Sequence, residues 1–144
     1  MIDGTSEGSP IAHLPVPVRD HLPAGGRSRT LIAREQRDLL CALAYVALGV
    51  GEAVQAGTLL NLVLREVPDD VGAVRLAAYA RVANGDGEAA LAALDRLDIL
   101  EPGTTPAPLI LLRSQALRLV GRLDEGRATF RHFVASRRAK ETVA

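Results

Sequence analysis

The sequence contains few aromatic residues, no tryptophan and a single cysteine. Aromatics make up 3% of its 144 residues and apolar residues 48%, so the apolar side chains are chiefly alanine, leucine and valine. This composition favours closely packed helices over an aromatic-filled β-sandwich, and the length suits one domain. Because Cys41 is the sole thiol, an intramolecular disulfide and a cysteine metal cluster are both excluded.

Neither sign of charge is in excess, since 17 lysines and arginines balance 17 aspartates and glutamates. The chain therefore lacks the net basic charge typical of proteins that bind nucleic acid or anionic membranes. The first residues, MIDGTSEGSP, contain no basic start followed by an apolar run, so they do not resemble a secretory signal. The apolar run LLCALAYVALGV is also shorter than the roughly 18 residues of a membrane span. We expect a cytoplasmic protein that does not insert into the membrane.

The first 28 residues differ in composition from the rest of the chain. They hold four prolines and clustered glycines, as in LPVPV and PAGGRSR, which favour extended or flexible backbone. We predict a disordered tail over residues 1–28 and a helical domain over residues 29–140. Two readings of the tail stay open: the true translation start lies further along, or the tail is an arm that binds a partner.

A helical pattern begins near Thr30, which we predict to cap the first helix. Apolar residues then recur every three or four positions as far as Leu48, and Gly51 follows the end of this helix. A second helix is predicted over residues 53–67, because a helix usually ends just before a proline and Pro68 comes next.

The stretch GVGEAVQAGTLL, residues 49–60, could be a phosphate-binding loop or a bend between two helices. It returns as NGDGEAALAAL, one helix pair later, so a structural joint explains it better than a phosphate loop does. Six residues recur at a spacing of 34: Ala44/Ala78, Tyr45/Tyr79, Gly51/Gly85, Ala56/Ala90, Leu60/Leu94 and Pro68/Pro102. Each type has a packing reason: alanine allows close helix approach, glycine ends a helix in the left-handed conformation, and leucine fills the space against the next unit.

A third unit follows a longer connection, PGTTPAP, and covers residues 107–138. Ser114 takes the small position of its first helix and Gly121 takes the joint. Gly126 takes the small position of the second helix, where alanine is usual, and Phe130 takes the large apolar position. The unit has no closing proline, and we expect its second helix to stop in the basic run RRAK.

A period of 34 residues with two helices per unit resembles the tetratricopeptide repeat. The resemblance implies an all-α fold of three tetratricopeptide-like helical hairpins in a short right-handed solenoid. It also implies that the first helix of each pair lines a concave, partner-binding groove. The positions that match the inward-facing ones of the repeat are Cys41, Tyr45, Leu48, Arg75, Tyr79, Val82, Leu111, Gln115 and Arg118.

This predicted groove is mainly apolar, with two tyrosines and two arginines, which are residue types that anchor interfaces. It lacks the lysine and asparagine set with which some tetratricopeptide domains hold a C-terminal carboxylate, so we expect it to bind an apolar helix. Two alternatives remain. Tyr45 and Tyr79 could simply pack between hairpins, and Arg75 and Arg118 could be solvated surface charges.

No residue pattern indicates catalysis. His13 and His21 lie in the tail, His132 stands alone on the last helix, and Cys41 has no evident histidine partner. The segment GVGEAV lacks the last glycine of a dinucleotide-binding loop and follows a helix instead of a strand. We therefore expect a protein that is not an enzyme and that uses no cofactor or metal.

A closer resemblance covers residues 30 to about 140. The run from TLIAREQRDLLCALAYVALGVGEAVQAGTLL to NGDGEAALAAL, with the ending RATFRHFVASRRAK, is similar to the small tetratricopeptide chaperones of bacterial type III secretion, particularly the YscY-like class. The proline-rich tail departs from that class, whose members begin close to the first helix. The resemblance implies a cytoplasmic bacterial chaperone that shields an apolar helix of an early export substrate, the X-type component.

In that class the heterodimer of chaperone and substrate then engages the cytosolic domain of the export gate. Two alternatives stay open: a needle-subunit chaperone of the same system, and a general tetratricopeptide adaptor in an unrelated assembly.

Overall fold

The computed structural model describes residues 32–143 and contains six α-helices there. The helices are α1 (Arg34–Gly49), α2 (Ala53–Glu66), α3 (Val71–Ala83), α4 (Gly87–Leu100), α5 (Ala107–Leu119) and α6 (Leu123–Val143). No strand occurs among these residues, so the predicted all-α class is confirmed for this part of the chain. The predicted tail over residues 1–28 and the predicted cap at Thr30 lie outside the described residues.

Three glycines join the helices within successive pairs, at the positions that the sequence indicated. Gly51, Gly85 and Gly121 have φ values of 85°, 77° and 82°, which is the left-handed conformation that glycine adopts without strain. At each joint the residue after the glycine donates its backbone N–H to a carbonyl five residues back, as from Glu52 to Ala47 at 2.8 Å. This is the Schellman arrangement, which satisfies carbonyl groups that the helix end leaves unpaired. The predicted helix-ending role of these glycines is confirmed.

The helix starts also follow from local chemistry. The side chains of Asp70 and Asp86 each accept a hydrogen bond at 3.1 Å from a backbone N–H in the first turn of α3 and α4. Pro106 and Pro108 flank the first residue of α5, where a missing N–H costs nothing because it would be unpaired anyway. α2 ends at Glu66, one residue earlier than predicted.

The helices pack in a regular order along the chain. Each contacts the next, and α1 and α3, and likewise α3 and α5, also contact each other. α3 therefore lies against both α1 and α2, and α5 lies against both α3 and α4. This order leaves one side of α1 and one side of the α5–α6 pair without a neighbouring helix among the described residues.

Two apolar clusters fill the spaces between the helices, and alanine is prominent in both. The first joins α1, α2 and α3 around Leu60 and Val63, which are the largest fully buried side chains in the described range. The second joins α3, α4 and α5 around Leu94 and Leu112. Ala44, Ala56, Ala78 and Ala90 are all fully buried, which allows the close helix approach that the repeat predicted.

The last helix differs from the others. α6 is 21 residues long and buries only Gly126. It does not stop within residues 137–140, as the basic run predicted, but continues to Val143. The prediction was wrong because a basic run stabilises the C-terminal end of a helix without breaking it, and residues 141–143 contain no glycine or proline that would end the helix. No helix among residues 32–143 combines the length and apolar character that crossing a membrane requires.

Candidate functional site

The three residues predicted to line the groove from α1 differ in exposure. Cys41 and Leu48 are partly buried and pack against the first apolar cluster. Tyr45 is 69% exposed. Burial raises the pKa of the Cys41 thiol above its ordinary value of 9.0, and the carboxylates of Asp70 and Asp38 raise it further. A thiol with a raised pKa is a poor nucleophile at neutral pH, so Cys41 is suited to packing and contact.

The three residues predicted from α3 are partly buried, and two of them belong to the interior. Tyr79 and Val82 pack against the second apolar cluster, beside α5. Arg75 forms an ion pair with Glu101, at the C-terminal end of α4. Tyr79 therefore contributes to the packing of the second cluster, whereas Tyr45, its counterpart one repeat earlier, is largely exposed to solvent.

The three residues predicted from α5 lie together in a concavity that we call the α5–α6 trough. Its volume is about 720 Å³. Its floor is formed by Ser114 and Gly126, both buried, and its walls and rim by seven further residues: Leu111, Gln115, Arg118, Leu123, Arg127, Phe130 and Arg131. Three of these seven residues are apolar, Leu111, Leu123 and Phe130, and we call the three arginines the rim.

Gly126 brings α5 and α6 close together at the floor of the trough. A Cβ atom at this position would lie 3.1 Å from Cγ of Arg118 and 3.3 Å from the carbonyl oxygen of Ser114. The Ser114 hydroxyl donates a hydrogen bond at 2.7 Å to the Leu111 carbonyl, so the one buried polar side chain on the floor is satisfied by its own helix. The floor consequently presents no unpaired polar group to an apolar ligand.

The trough occupies the third of three equivalent places in the chain. In the first pair, Leu60 is 0% exposed because α3 covers it, and in the second pair Leu94 is 2% exposed because α5 covers it. The corresponding residue of the third pair, Phe130, is 48% exposed, and no helix lies over it among the described residues. The trough is thus a helix-docking place of the kind that the chain fills twice with its own helices.

A smaller concavity of about 370 Å³ continues the trough towards α3. It is lined by Val82, Gln115, Arg118, Leu119 and Leu123. The structure therefore brings Val82 together with Gln115 and Arg118, while Leu111 joins them through the trough. The other five predicted residues, Cys41, Tyr45, Leu48, Arg75 and Tyr79, line neither of these two concavities.

Six of the nine trough residues were not assigned to the site from the sequence: Ser114 and Gly126, which were given packing positions only, and four others. Leu123, Arg127, Phe130 and Arg131 all come from α6, the second helix of its pair, whereas the repeat pattern directed attention to first helices only. One signal was available: the third unit repeats the small and large apolar positions of the first two, so its second helix was expected to present the same receiving face.

A separate concavity of about 650 Å³ lies on another side of α5 and α6 and is lined by hydroxyl side chains, Arg113 and His132. Within residues 32–143, no group of three or more His, Cys, Asp or Glu residues is arranged to hold a metal ion. Arg113 is engaged in hydrogen bonds at 2.8 Å with Asp95 and Asp98 of α4, which hold α5 against α4.

Neither a protein-family model nor a curated protein matches this chain.

Proposed function

We propose that this chain is a cytoplasmic bacterial chaperone of type III secretion that holds an apolar helix of an early export substrate, the X-type component, in a heterodimer. It would then help to deliver that substrate to the cytosolic domain of the export gate. The proposal rests on the 34-residue repeat, on the resemblance of residues 30 to about 140 to the YscY-like class, and on the α5–α6 trough. In this proposal the protein is not an enzyme and needs no cofactor.

The finer fold assignment belongs to the same proposal. Three tetratricopeptide-like hairpins in a short right-handed solenoid account for the three equivalent glycine joints at residues 51, 85 and 121. They also account for the contacts of α1 with α3 and of α3 with α5, because consecutive first helices of such a solenoid lie side by side.

The observation that carries the proposal is the exposure of Phe130 above a floor of small residues. An aromatic side chain that is 48% exposed beside Leu111 and Leu123 gives the trough an apolar surface that a partner would bury. Two equivalent places in the same chain are filled by helices, so a helix is the ligand whose shape the third place fits.

The trough also indicates what the bound helix should look like. Its inward face should carry small or branched apolar residues, since α3 uses Ala73 and Ala77, and α5 uses Leu109 and Leu112, in the two filled places. Its flanks should carry acidic or amide side chains, because Arg118 and Arg131 are exposed on the rim and form no ion pair within residues 32–143. A specific interface typically buries about 800 Å² on each partner, and part of the gain offsets the ordering of the bound segment.

The direct test is capture of the X-type component of the host's secretion system by the purified full chain. Phe130→Glu places a charge at the centre of the trough and should abolish co-purification. Val143→Glu is a matched control, since Val143 is an 87% exposed apolar residue on the same helix but outside the trough. Both variants should keep the circular dichroism spectrum of the original protein.

Co-expression provides a second measurement. The bound helix should raise the melting temperature of this protein, because a ligand that binds only the folded state stabilises it. Absence of any capture by the original protein, or equal capture by the Phe130→Glu and Val143→Glu variants, would overturn the proposal. Capture of a needle subunit in place of the X-type component would favour the alternative function, that of a needle-subunit chaperone.

A further inference from the structure

One side of α1 has no neighbouring helix among residues 32–143, and it carries a stripe of large apolar residues that we call the α1 stripe. It consists of Leu39, Leu43, Val46 and Val50, which are 59%, 47%, 60% and 70% exposed. Their spacing of four, three and four residues places them on one face of the helix. Four neighbouring large apolar side chains form a continuous exposed patch, whereas an ordinary protein surface shows such residues singly.

The positions of the stripe are the ones by which the other first helices dock. Ala73, Ala77 and Ala80 lie 34 residues after Leu39, Leu43 and Val46. In α3 these alanines are 0%, 3% and 1% exposed, and they belong to the apolar cluster that α3 forms with α1 and α2. α1 therefore presents, in larger side chains, the same face that α3 inserts against the preceding pair.

Leu109 and Ala116 of α5 confirm which face of a first helix docks. They lie 36 residues after Ala73 and Ala80, because the third unit is displaced by two residues. They are 6% and 0% exposed in the cluster that α5 forms with α3 and α4. Each of the first helices α1, α3 and α5 thus has a docking face, and each of the three helix pairs has a place that can receive one. Among residues 32–143, the docking face of α1 and the α5–α6 trough are unused.

We infer that a second copy of this chain fills the α5–α6 trough with its α1 stripe, so that copies associate head to tail. Each junction would repeat the packing of α3 on α1–α2 and of α5 on α3–α4. The inference extends the proposed function, with which it shares the trough, but it uses a second surface that the proposed partner does not contact.

The size of the side chains fits this pairing. The stripe has leucine and valine where α3 has alanine, so it needs more room than the first place in the chain offers. The trough has a volume of about 720 Å³, and no helix lies over it among residues 32–143. This open volume can take the leucine and valine side chains of the stripe.

The charges at the edges of the two surfaces are also complementary. Arg118, Arg127 and Arg131 are exposed on the rim of the trough, and of these only Arg127 has an acidic partner on its own helix, Asp124 at 3.3 Å. Exposed carboxylates border the α1 stripe at both ends: Glu35 and Asp38 in the first turns and Glu52 after the last. Two guanidinium groups in the same turns, that of the exposed Arg34 and that of the partly buried Arg37, oppose them in part. The edge charges therefore favour a second copy in the trough, with a salt-dependent contribution.

A head-to-tail contact of this kind leaves one stripe and one trough free at the ends, so it does not close at two copies. Bound substrate and a second copy would occupy the same trough and would exclude each other. The protein without substrate would then be self-associated, and capture of substrate would release it as a heterodimer.

Two single variants of the full chain test the inference by sedimentation velocity over a range of protein concentrations. Val46→Glu destroys the stripe and leaves the trough intact, whereas Phe130→Glu does the reverse. The original protein should grow in mass with concentration beyond two copies, and each variant alone should be monomeric. Mixed in equal amounts, the variants should form a dimer that does not grow, because one free stripe meets one free trough.

Ile99→Glu is the matched control, since Ile99 is 70% exposed on α4 and lies in neither surface. It should associate like the original protein, and all variants should keep their helical circular dichroism. Three results would overturn the inference: a monomeric original protein at every concentration, no dimer in the mixture, or a dimer formed by Phe130→Glu alone, which would indicate stripe-to-stripe pairing.

The same variants separate this inference from the proposed function. Val46→Glu keeps its trough, so it should still capture the X-type component, and it should do so more readily because no second copy competes. A monomeric original protein that captures substrate would overturn only the self-association. A self-associating protein that captures no substrate would overturn only the chaperone function.

Discussion

Gly87 is the first residue of α4, and its replacement by alanine is expected to destabilise the protein. A Cβ atom built there would lie 2.7 Å from Cγ1 of Val120, 2.8 Å from the carbonyl oxygen of Ala116 and 2.8 Å from Cβ of Leu119. Two of these neighbours are fixed by the backbone of α5 and its end, so they cannot rotate away. The methyl group would have to push the start of α4 away from the end of α5.

Gly57→Ala is the matched control, because Gly57 lies in α2 and a Cβ there would have only Asn84 Nδ2 within 4 Å, at 3.8 Å. Alanine in place of a helical glycine stabilises a protein by about 0.5–1 kcal/mol when space allows. Overpacking costs about 1–3 kcal/mol. We therefore expect Gly57→Ala to be slightly more stable than the original protein and Gly87→Ala to be less stable than Gly57→Ala by about 1–3 kcal/mol.

Urea unfolding followed by circular dichroism at 222 nm measures this difference as a shift in midpoint at constant slope. Thermal unfolding should show it too, since 1 kcal/mol corresponds to roughly 4–8 °C in a domain of 60–100 residues. If Gly87→Ala proved as stable as Gly57→Ala, α4 and α5 could not approach each other as described. The packing of α5 on α3 and α4, on which the equivalence of the trough depends, would then be refuted.

Three further predictions concern the core and the predicted groove. Ala56→Leu should lower the free energy of unfolding by about 1–3 kcal/mol, because Ala56 is 0% exposed between α1 and α2. An unchanged urea midpoint would contradict that packing. Alkylation of Cys41 by iodoacetamide should have a higher pH midpoint than alkylation of a cysteine in a short unstructured peptide, because burial and then the carboxylate of Asp70 raise the pKa of the thiol. Asp70→Asn should move the midpoint down, and a midpoint of the original protein no higher than that of the peptide would contradict the burial. Tyr45→Ala should leave the melting temperature nearly unchanged, because Tyr45 is 69% exposed. Tyr79→Ala should lower the melting temperature, because Tyr79 packs against the second cluster. Equal effects of the two substitutions would contradict this difference in packing.

The contrast between the two tyrosines shows how far a repeat pattern can be taken. Tyr45 and Tyr79 recur at a spacing of 34, so the pattern assigned them the same role. The structure gives them different surroundings, because α5 runs beside Tyr79 and the equivalent helix α3 leaves Tyr45 exposed. A repeat identifies equivalent positions along the chain, but the side chains of the following helix decide how much of each position is covered.

The receiving face of the third pair could have been inferred in principle from the repeat, but its residues could not. The sequence placed Phe130 at the large apolar position of the third unit. It did not show that α6 buries only Gly126, or that Arg127 and Arg131 stand at the rim of the same concavity as Arg118. Which charges gather around a trough depends on the rotation of α6 about its axis, and that rotation is set by packing against α5.

The sequence by itself determined the helices, their joints and the small residues between them, because these depend on neighbours along the chain. Gly51, Gly85 and Gly121 end helices through backbone conformation, and the aspartates at residues 70 and 86 begin them through bonds to their own first turns. Only the tertiary structure decided which apolar residues are covered. Leu60 and Phe130 hold equivalent positions, yet one is 0% and the other 48% exposed, because burial depends on whether another helix lies above and not on the residue itself.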